Sequence, residues 1–308
     1  MKKIVVTGGA GFIGSHTVDA LIASGAHVTV IDDFSTGKKE NIEHVLNAVT
    51  LFEGTIVDTE FLKKAFTGAD AVIHLAALPS VPKSIEFPLE TNAANTVGTL
   101  SVFCAARDAG VERVVYASSS SVYGDTPILP KVETMPTNPL SPYAIQKLTA
   151  ELYGRVFNST YGLKTVGLRY FNIFGPRQDP HSTYSAVIPK FIHQMKKGES
   201  PTIFGDGEHT RDFTYVQNAV RANLCALTAE RGFGEAYNIA ASERVSLNQL
   251  VENINETLGT SISPVYASPR VGDIKDSFAD ISKAKAAFGY EPQISFTEGL
   301  RATIDAIM

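Results

Sequence analysis

A glycine-rich stretch near the amino terminus constrains this chain more than any other feature. The run TGGAGFIG occupies positions 7–14, between a short β-rich segment and a segment of helical length. In such a turn Gly8 allows the tight reversal, Gly11 lets the backbone approach a pyrophosphate, and Gly14 lets the helix pack closely on the strand. The helix then presents free N–H groups to the phosphates. The stretch therefore predicts a dinucleotide-binding turn, and it lacks the GxxxxGK[ST] pattern of ATP or GTP sites.

An acidic residue after the next predicted strand indicates which dinucleotide is bound. Asp32 follows the strand-like run 27–31 and stands roughly 20 residues beyond the glycine turn, where the ribose-binding acid is expected. A carboxylate at this point accepts hydrogen bonds from both hydroxyls of an adenine ribose and repels a 2′-phosphate. The sequence thus predicts NAD rather than NADP.

Strand-like and helix-like segments alternate through the first half of the chain. This rhythm predicts an α/β fold with a Rossmann-type, doubly wound parallel sheet. Beyond Phe171, prolines and glycines divide the chain into shorter pieces, which indicates a smaller mixed α/β domain for the substrate. The predicted domains are 1–171 plus 213–240 for NAD, and 172–212 plus 241–308 for a UDP-sugar.

Composition narrows the classes of partner. The net charge is −5 and the pI about 5.8, which argues against a sequence-independent grip on nucleic acid or an anionic membrane. The two cysteines and seven histidines show no metal-ligand spacing, so no metal is expected. The first residues run directly into a strand, and no apolar stretch approaches the ~20 residues of a membrane span. We therefore expect a cytoplasmic protein.

Tyr143 and Lys147 stand four residues apart in a segment that reads as a helix, so they share one face. A free tyrosine titrates near ~10, and a neighbouring ammonium favours the phenolate. The run Ser118–Ser121 follows a predicted strand, at the edge of the sheet where α/β proteins bind ligands. A serine hydroxyl there can both donate and accept a hydrogen bond. The phenol, the ammonium and the serine hydroxyls together predict proton transfer to or from a bound hydroxyl.

These motifs resemble the extended short-chain dehydrogenase/reductase superfamily, and within it the UDP-hexose 4-epimerases. The likeness continues through YFN at 170–172, GDG at 205–207, RDF at 211–213 and RVGD at 270–273, so it spans essentially the whole chain. It implies that Tyr143 takes the proton of the sugar 4-hydroxyl and that Lys147 lowers the tyrosine pKa and holds the nicotinamide ribose. Ser119 would hydrogen-bond the 4-oxygen, and a 4-keto sugar would form and be reduced on its other face. NAD would be retained.

The resemblance also assigns contact residues. For NAD they are Gly8, Gly11, Phe12, Ile13, Gly14, Asp32, Asp33, Ser35, Thr36, Gly37, Ile56, Leu75, Ala76, Ala77, Asn95, Ser118, Tyr143, Lys147, Tyr170 and Phe171. For the UDP-sugar they are Ser80, Ser119, Ser120, Ser121, Asn172, Gln178, Ala186, Val187, Arg211, Arg270, Asp273 and Ser277. By the same likeness, the helical segments 91–109 and 141–161 would pair across a two-fold axis into a four-helix dimer interface.

Two positions refine the expected chemistry. Related dehydratases and decarboxylases carry acids where this chain has Ser120 and Ser121, and hydroxyls cannot replace carboxylic acids in elimination. Ser277 matches the site of a large aromatic gate in strict UDP-glucose epimerases, so its small side chain predicts acceptance of N-acetylated hexoses. Two alternatives stay open: another nucleotide-sugar oxidoreductase, or a non-catalytic sensor of NAD and UDP-sugars.

Overall fold

A parallel sheet of seven strands forms the centre of the structure, a computed structural model that describes residues 2–179, 186–268 and 276–307. Its strands are β1 (Lys3–Thr7), β2 (His27–Asp32), β3 (Val49–Glu53), β4 (Ala71–His74), β5 (Arg113–Ser119), β6 (Lys164–Tyr170) and β11 (Glu235–Ile239). Their spatial order is β3-β2-β1-β4-β5-β6-β11. The order reverses at β1, and such a switch point opens a crevice at the carboxyl ends of the strands. The predicted Rossmann-type fold is confirmed.

Helices cover both faces of the sheet. They are α1 (Phe12–Ala23), α2 (Thr59–Ala65), α3 (Val81–Glu86), α4 (Pro88–Asn92), α5 (Gly98–Asp108), α6 (Pro142–Tyr161), α7 (Val187–Lys196), α8 (Val216–Leu227), α9 (Leu247–Leu258), α10 (Ser282–Phe288) and α11 (Phe296–Asp305). Alternate residues of β1 enter opposite cores: Val6 packs with α1 and α8, and Val5 packs with α2, α5 and α6. The β-branched strands are therefore buried on both sides, as a parallel sheet requires.

The segment predicted as one helix over 91–109 is interrupted. It consists of the end of α4, a π-helical turn at Ala93–Val97, and α5. Such turns widen a helix by one residue and are frequent at functional sites. Here two residues of the turn, Ala93 and Ala94, line the cavity described below.

A third apolar core lies beyond the sheet. Phe174, Phe213 and Phe296 pack together in it, with ring centroids 5.6 to 6.4 Å apart. Helices α7, α9 and α11 contribute the surrounding aliphatic side chains. Short strands complete this region: β7 (Ile173–Phe174), β8 (Thr202–Phe204), β9 (Thr210–Arg211), β10 (Thr214–Tyr215), β12 (Val245–Ser246) and β13 (Val265–Ala267). The predicted division into two domains stays a prediction.

None of the helices in the described part of the chain is both long enough and apolar enough to cross a membrane.

Candidate active site

A cavity of about 830 Å³ opens at the carboxyl ends of β1, β2, β4 and β5. Most of the residues predicted to bind the cofactor meet on its wall. These are Gly8, Gly11, Phe12, Ile13, Gly14, Asp32, Asp33, Ser35, Thr36, Ile56, Leu75, Ala76, Ala77, Ser118, Tyr143, Lys147 and Tyr170. Within the described residues, no group of three or more His, Cys, Asp or Glu is arranged to hold a metal ion.

The glycine turn leaves no room for side chains. Gly8 has a φ of +70°, and a Cβ built on it would lie 2.6 Å from the backbone N of Ala76. A Cβ on Gly14 would lie 1.9 Å from the carbonyl oxygen of Gly8. Gly11 caps α1 without a side-chain hydrogen bond, and the first turn of α1, which the structure describes completely, contains no acidic residue. The positive end of the helix thus faces the cavity unneutralised, which fits a pyrophosphate.

Gly14→Ala is expected to release the cofactor and destabilise the protein by about 1–3 kcal/mol, because the added methyl group would displace the turn. The measurements are thermal unfolding and the NAD content of the purified variant. Gly25→Ala is the control for backbone strain without a steric contact, because Gly25 has a φ of +79° but a Cβ there meets nothing within 4 Å. This variant is expected to keep its NAD. A Gly14→Ala protein with full NAD content would contradict the assignment of this turn.

Asp32 is held in a single orientation. Its carboxylate accepts a hydrogen bond from Ala10 N and another from Phe34 N, each at 2.9 Å. A Cβ on Gly37 would lie 2.7 Å from Asp32 Oδ1, so Gly37 leaves space for the carboxylate and is not itself on the cavity wall. Burial raises the pKa of Asp32, while the two N–H groups oppose that rise. The fixed, cavity-lining carboxylate fits an adenine ribose, and together with the glycine turn it makes these residues suitable for NAD.

Several side chains on this wall were not predicted from the sequence, among them Lys38, Asn41, Arg177 and Asp179. Lys38 Nζ lies 3.4 Å from Asp179 Oδ2. Arg177 Nη2 lies 2.8 Å from a carboxylate oxygen of Asp19 on α1. Asn41 Nδ2 donates to Ala10 O at 2.8 Å. Lys38 follows the predicted Gly37, and Arg177 and Asp179 flank the predicted Gln178. No spacing rule, however, pairs residues so far apart along the chain.

The three predicted catalytic residues come together on the cavity wall. Ser141 begins α6 by accepting a hydrogen bond from Ala144 N at 3.2 Å, and this start places Tyr143 in the first turn. The Tyr143 hydroxyl lies close to the hydroxyl of Ser119, at the end of β5. Lys147 Nζ lies 5.8 Å from the centroid of the Tyr143 ring and donates to Ala117 O at 2.9 Å.

The pKa of Tyr143 differs from the expectation. Burial raises the pKa of the phenol to about 12, and the nearby Ser119 hydroxyl opposes the rise. Burial also lowers the pKa of the Lys147 ammonium to about 8. Lys147 was expected to lower the tyrosine pKa, but in the protein alone removal from water outweighs any such effect. The phenol is therefore protonated near neutral pH until a ligand changes its surroundings.

A buried ionic network lies behind the catalytic strand end. Ser118 donates to Glu151 Oε1 at 2.5 Å, and Arg169 binds both oxygens of Glu151, at 2.8 and 2.7 Å. Arg169 also donates to Tyr123 Oη at 2.7 Å. Glu151 was not predicted as a site residue. Its signal was available, since it follows Lys147 by one further helical turn on the same face.

Besides Gly37, the predicted contact residues that are not on the cavity wall include Phe171, Asn95, Ser80 and Ser121. Phe171 is buried among Val122, Tyr123 and their neighbours in a separate small core. The Asn95 side chain bonds to both backbone groups of Leu78, at 2.7 and 3.1 Å. Ser80 caps α3 by accepting from Lys83 N at 3.1 Å. The hydroxyl of Ser121 is buried without a hydrogen-bond partner among the described residues. These four therefore support the fold near the site, and the cavity shown does not reach their side chains.

The predicted substrate residues are only partly on the cavity wall. Ser119, Ser120, Asn172 and Gln178 line it. Ser277 Oγ lies 3.4 Å from Asn172 Nδ2, so the gate position adjoins this end of the cavity. The remaining predicted residues that the structure describes are Arg211 on β9, Ala186 at the cap of α7, and Val187 in its first turn. Arg270 and Asp273 lie outside the described residues.

Comparisons with known proteins agree with this geometry. Residues 4–240 match the NAD dependent epimerase/dehydratase family. The chain is 37% identical over 308 residues to a UDP-glucose 4-epimerase of Mycolicibacterium smegmatis, covering 98% of this chain and 97% of that protein. A UDP-N-acetylglucosamine 4-epimerase of Methanobrevibacter ruminantium, solved with UDP-N-acetylmuramic acid, superposes with a TM-score of 0.95 at 44% identity, covering 99% and 98% of the two chains. A Thermus thermophilus UDP-glucose 4-epimerase solved with NAD gives 0.89 at 37%, with the same coverage.

Proposed function

The chain belongs to the NAD dependent epimerase/dehydratase family, and on that premise we propose that it inverts C4 of UDP-hexoses. The proposed substrates are UDP-GlcNAc and UDP-GalNAc, together with UDP-glucose and UDP-galactose. One observation carries the proposal: Ser119, Tyr143 and Lys147 line the same wall of a cavity built around a dinucleotide turn. The similarity to UDP-sugar 4-epimerases supports the same reaction class.

In the proposed reaction, Tyr143 removes the proton of the sugar 4-hydroxyl and later returns it. Ser119 hydrogen-bonds the 4-oxygen and keeps it within reach of the phenol. Lys147, buried and bonded to Ala117 O, is the cation of this protein available to stabilise the phenolate. NAD, which the glycine turn and Asp32 would hold, would supply a reversible acceptor for the hydride of C4, so the reaction would have no net redox change. Because the 4-keto sugar is reduced on its other face, the cavity must allow the sugar to turn over.

Elimination chemistry is disfavoured by the neighbours of Ser119. Ser120 lines the cavity where a dehydratase carries an acid, and a hydroxyl does not titrate near neutral pH. Ser121 faces inward. Loss of the 6-hydroxyl would need an acid for the leaving group and a base for the C5 proton. Epimerisation needs only the residues that are present.

The end of the cavity near Asn172, where we propose that the sugar binds, suits a large hexose. Asn172 and Gln178 line the cavity, and Gln178 Oε1 is buried without a hydrogen-bond partner among the described residues. An acceptor of this kind suits a hydroxyl or an amide N–H of a hexose. Ser277, beside Asn172, is small enough to leave space for a 2-acetamido group. We propose N-acetylated hexoses as substrates on this basis.

Two other functions are separated from this one by experiment. A nucleotide-sugar reductase would release its cofactor and would favour NADP, against which the fixed carboxylate of Asp32 argues. A sensor would bind both ligands without turnover, and it would have no use for a base beside the nicotinamide.

The deciding experiment uses purified protein with no added NAD, incubated separately with UDP-glucose and UDP-GlcNAc. The anomeric proton signals are followed by NMR. Conversion of both sugars to their galacto forms is expected, since retained NAD suffices. Binding of UDP-sugars without conversion, even with NAD supplied, would favour the sensor. Oxidation of the sugar nucleotide with an equal amount of added NAD or NADP reduced, which is a reductase reaction run in reverse, would favour the reductase.

We propose that the protein is a homodimer through α5 and α6. Ile145, Leu152 and Val156 of α6 are about half exposed, and their spacing places them along one side of the helix. Leu89 of α4 and Val97 of the π-helical turn are also exposed. Exposed apolar groups gathered on neighbouring helices are typical of an association surface.

The double substitution Ile145→Glu and Leu152→Glu is expected to convert the dimer into a folded monomer, because it would bury two pairs of unpartnered charges at the interface. Light scattering coupled to size exclusion measures the mass. Ile128→Glu, which places the same charge on an exposed residue outside these helices, is expected to leave the dimer intact. A dimer that survives the double substitution would place the interface elsewhere.

A further inference from the structure

Asp212 is a fully buried carboxylate that the proposed reaction does not use. Its Oδ1 accepts a hydrogen bond from Ala241 N at 3.0 Å, and its Oδ2 accepts one from Ala279 N at 3.2 Å. The backbone N–H groups of Ser242 and Glu243 also point to it. Burial raises the pKa of Asp212 to about 7 despite these four donors. One side chain thus joins two segments that are distant in the sequence.

Residues proposed to bind the UDP-sugar lie next to Asp212 and close to Ala279 in the sequence. The backbone carbonyl of Asp212 accepts from Asn172 Nδ2 at 3.1 Å. Arg211 is the preceding residue, and Ser277 is two residues before Ala279.

A second set of bonds fixes the same stretch. Ser277 N donates to Thr210 O at 3.0 Å, and the Thr210 hydroxyl donates to Asp276 Oδ1 at 2.5 Å. Asp212 therefore lies where the supports of Asn172, Arg211 and Ser277 meet.

We propose that Asp212 is the positioning residue for the UDP-sugar half of the site. Its carboxylate sets the distances between Asn172, Arg211 and Ser277 without contacting the substrate. The inference rests on the proposed function, because it takes those three residues as the sugar-nucleotide contacts. The bond from Ala279 N reaches the segment of Ser277, and the carbonyl of Asp212 holds Asn172. The other donors belong to the segment after β11, whereas the glycine turn and Asp32 belong to other segments.

Asp212→Asn tests the inference because the two side chains have nearly the same shape. The amide keeps one acceptor oxygen and replaces the other with an NH2 group, which would face backbone N–H donors. At least one buried N–H then loses its acceptor, and the segments must move apart. We expect KM for UDP-GlcNAc and Kd for UDP to rise at least tenfold, roughly the effect of one lost polar contact. We expect kcat to change by less than about threefold, and NAD content to stay the same.

A merely structural role predicts a different pattern. Ile254→Val, in the third core, is the control for general destabilisation of this half. KM, kcat, Kd for UDP by calorimetry, NAD content and Tm are measured for both variants. An unchanged Kd for UDP in Asp212→Asn would overturn the inference. The inference would also be overturned if Ile254→Val, at a comparable loss in Tm, raised KM as much as Asp212→Asn does.

Hydrogen exchange of the unaltered protein gives a test that does not depend on folding of the variant. UDP is expected to slow exchange of the Ala241 and Ala279 amides together, because the two share one acceptor group. Exchange rates at these amides that do not change when UDP is added would contradict the inference. If the unaltered protein neither binds UDP nor epimerises UDP-sugars, the proposed function is contradicted as well. If the unaltered protein binds UDP and the Asp212→Asn variant binds it equally well, the inference alone is contradicted.

Discussion

Tyr143→Phe is expected to lower kcat for epimerisation by about a thousandfold, while the protein stays folded and keeps its NAD. The substitution removes the hydroxyl that lies close to Ser119 and retains the ring. Loss of a positioned base typically costs 10²–10⁴ in rate, and the neighbouring Ser119 hydroxyl is a poor base. The NMR assay gives kcat, and absorbance of the denatured protein gives NAD content.

Tyr161→Phe is the matched control, since it removes the same atom from an exposed tyrosine at the end of α6. It is expected to leave kcat unchanged. A Tyr143→Phe enzyme within tenfold of the unaltered rate would show that another group accepts the proton.

The pH dependence adds an independent check on the same residue. Because the base must be deprotonated, activity is expected to rise with pH through the pKa that Tyr143 has in the loaded site. In the protein alone that pKa is about 12. Removing the ammonium with Lys147→Gln is expected to shift the rise toward that value, since less positive charge then stabilises the phenolate. An identical pH profile in both proteins would remove Lys147 from this role.

Ser277→Tyr is expected to make the protein selective for UDP-glucose over UDP-GlcNAc. The hydroxyl of Ser277 lies 3.4 Å from Asn172 Nδ2, at the sugar-binding end of the cavity. A phenol ring there would occupy the volume proposed for the 2-acetamido group, and interiors tolerate such overfilling poorly. We expect kcat/KM for UDP-GlcNAc to fall at least a hundredfold, on the order of a steric exclusion worth ~3 kcal/mol. The value for UDP-glucose is expected to stay within about tenfold.

Ser277→Ala separates volume from hydrogen bonding in this experiment. It removes the contact with Asn172 but leaves the space, so both substrates should keep comparable kcat/KM values. The measurement is the ratio of the two kcat/KM values in each variant. Equal losses for UDP-GlcNAc and UDP-glucose in Ser277→Tyr would show that the position does not control substrate size.

Local patterns predicted the parts of this protein that depend on neighbouring residues. The glycine turn was readable because φ at Gly8 and the close approach at Gly14 each demand a residue without a side chain. The start of α6 was readable because Pro142 suits the first turn, and Tyr143 and Lys147 lie one turn apart. The strand and helix alternation predicted the parallel sheet.

What only the tertiary structure decided depends on which distant segments meet. The pairs Lys38 with Asp179 and Arg177 with Asp19 follow from the packing of the loop after β7 against α1 and the loop after β2. Phe171 is adjacent in sequence to the cavity residues Tyr170 and Asn172, yet it turns into a core. No local period distinguishes these outcomes.

The same division holds for the chemistry of the site. The sequence by itself determined which groups are available: a phenol, an ammonium and hydroxyls, arranged beside a dinucleotide turn. The structure decided their protonation, because burial controls the pKa of Tyr143 and Lys147, and burial is a property of the whole fold. It also decided that the carboxylate of Asp212 joins the supports of the sugar site, since its donors come from segments that only folding brings together.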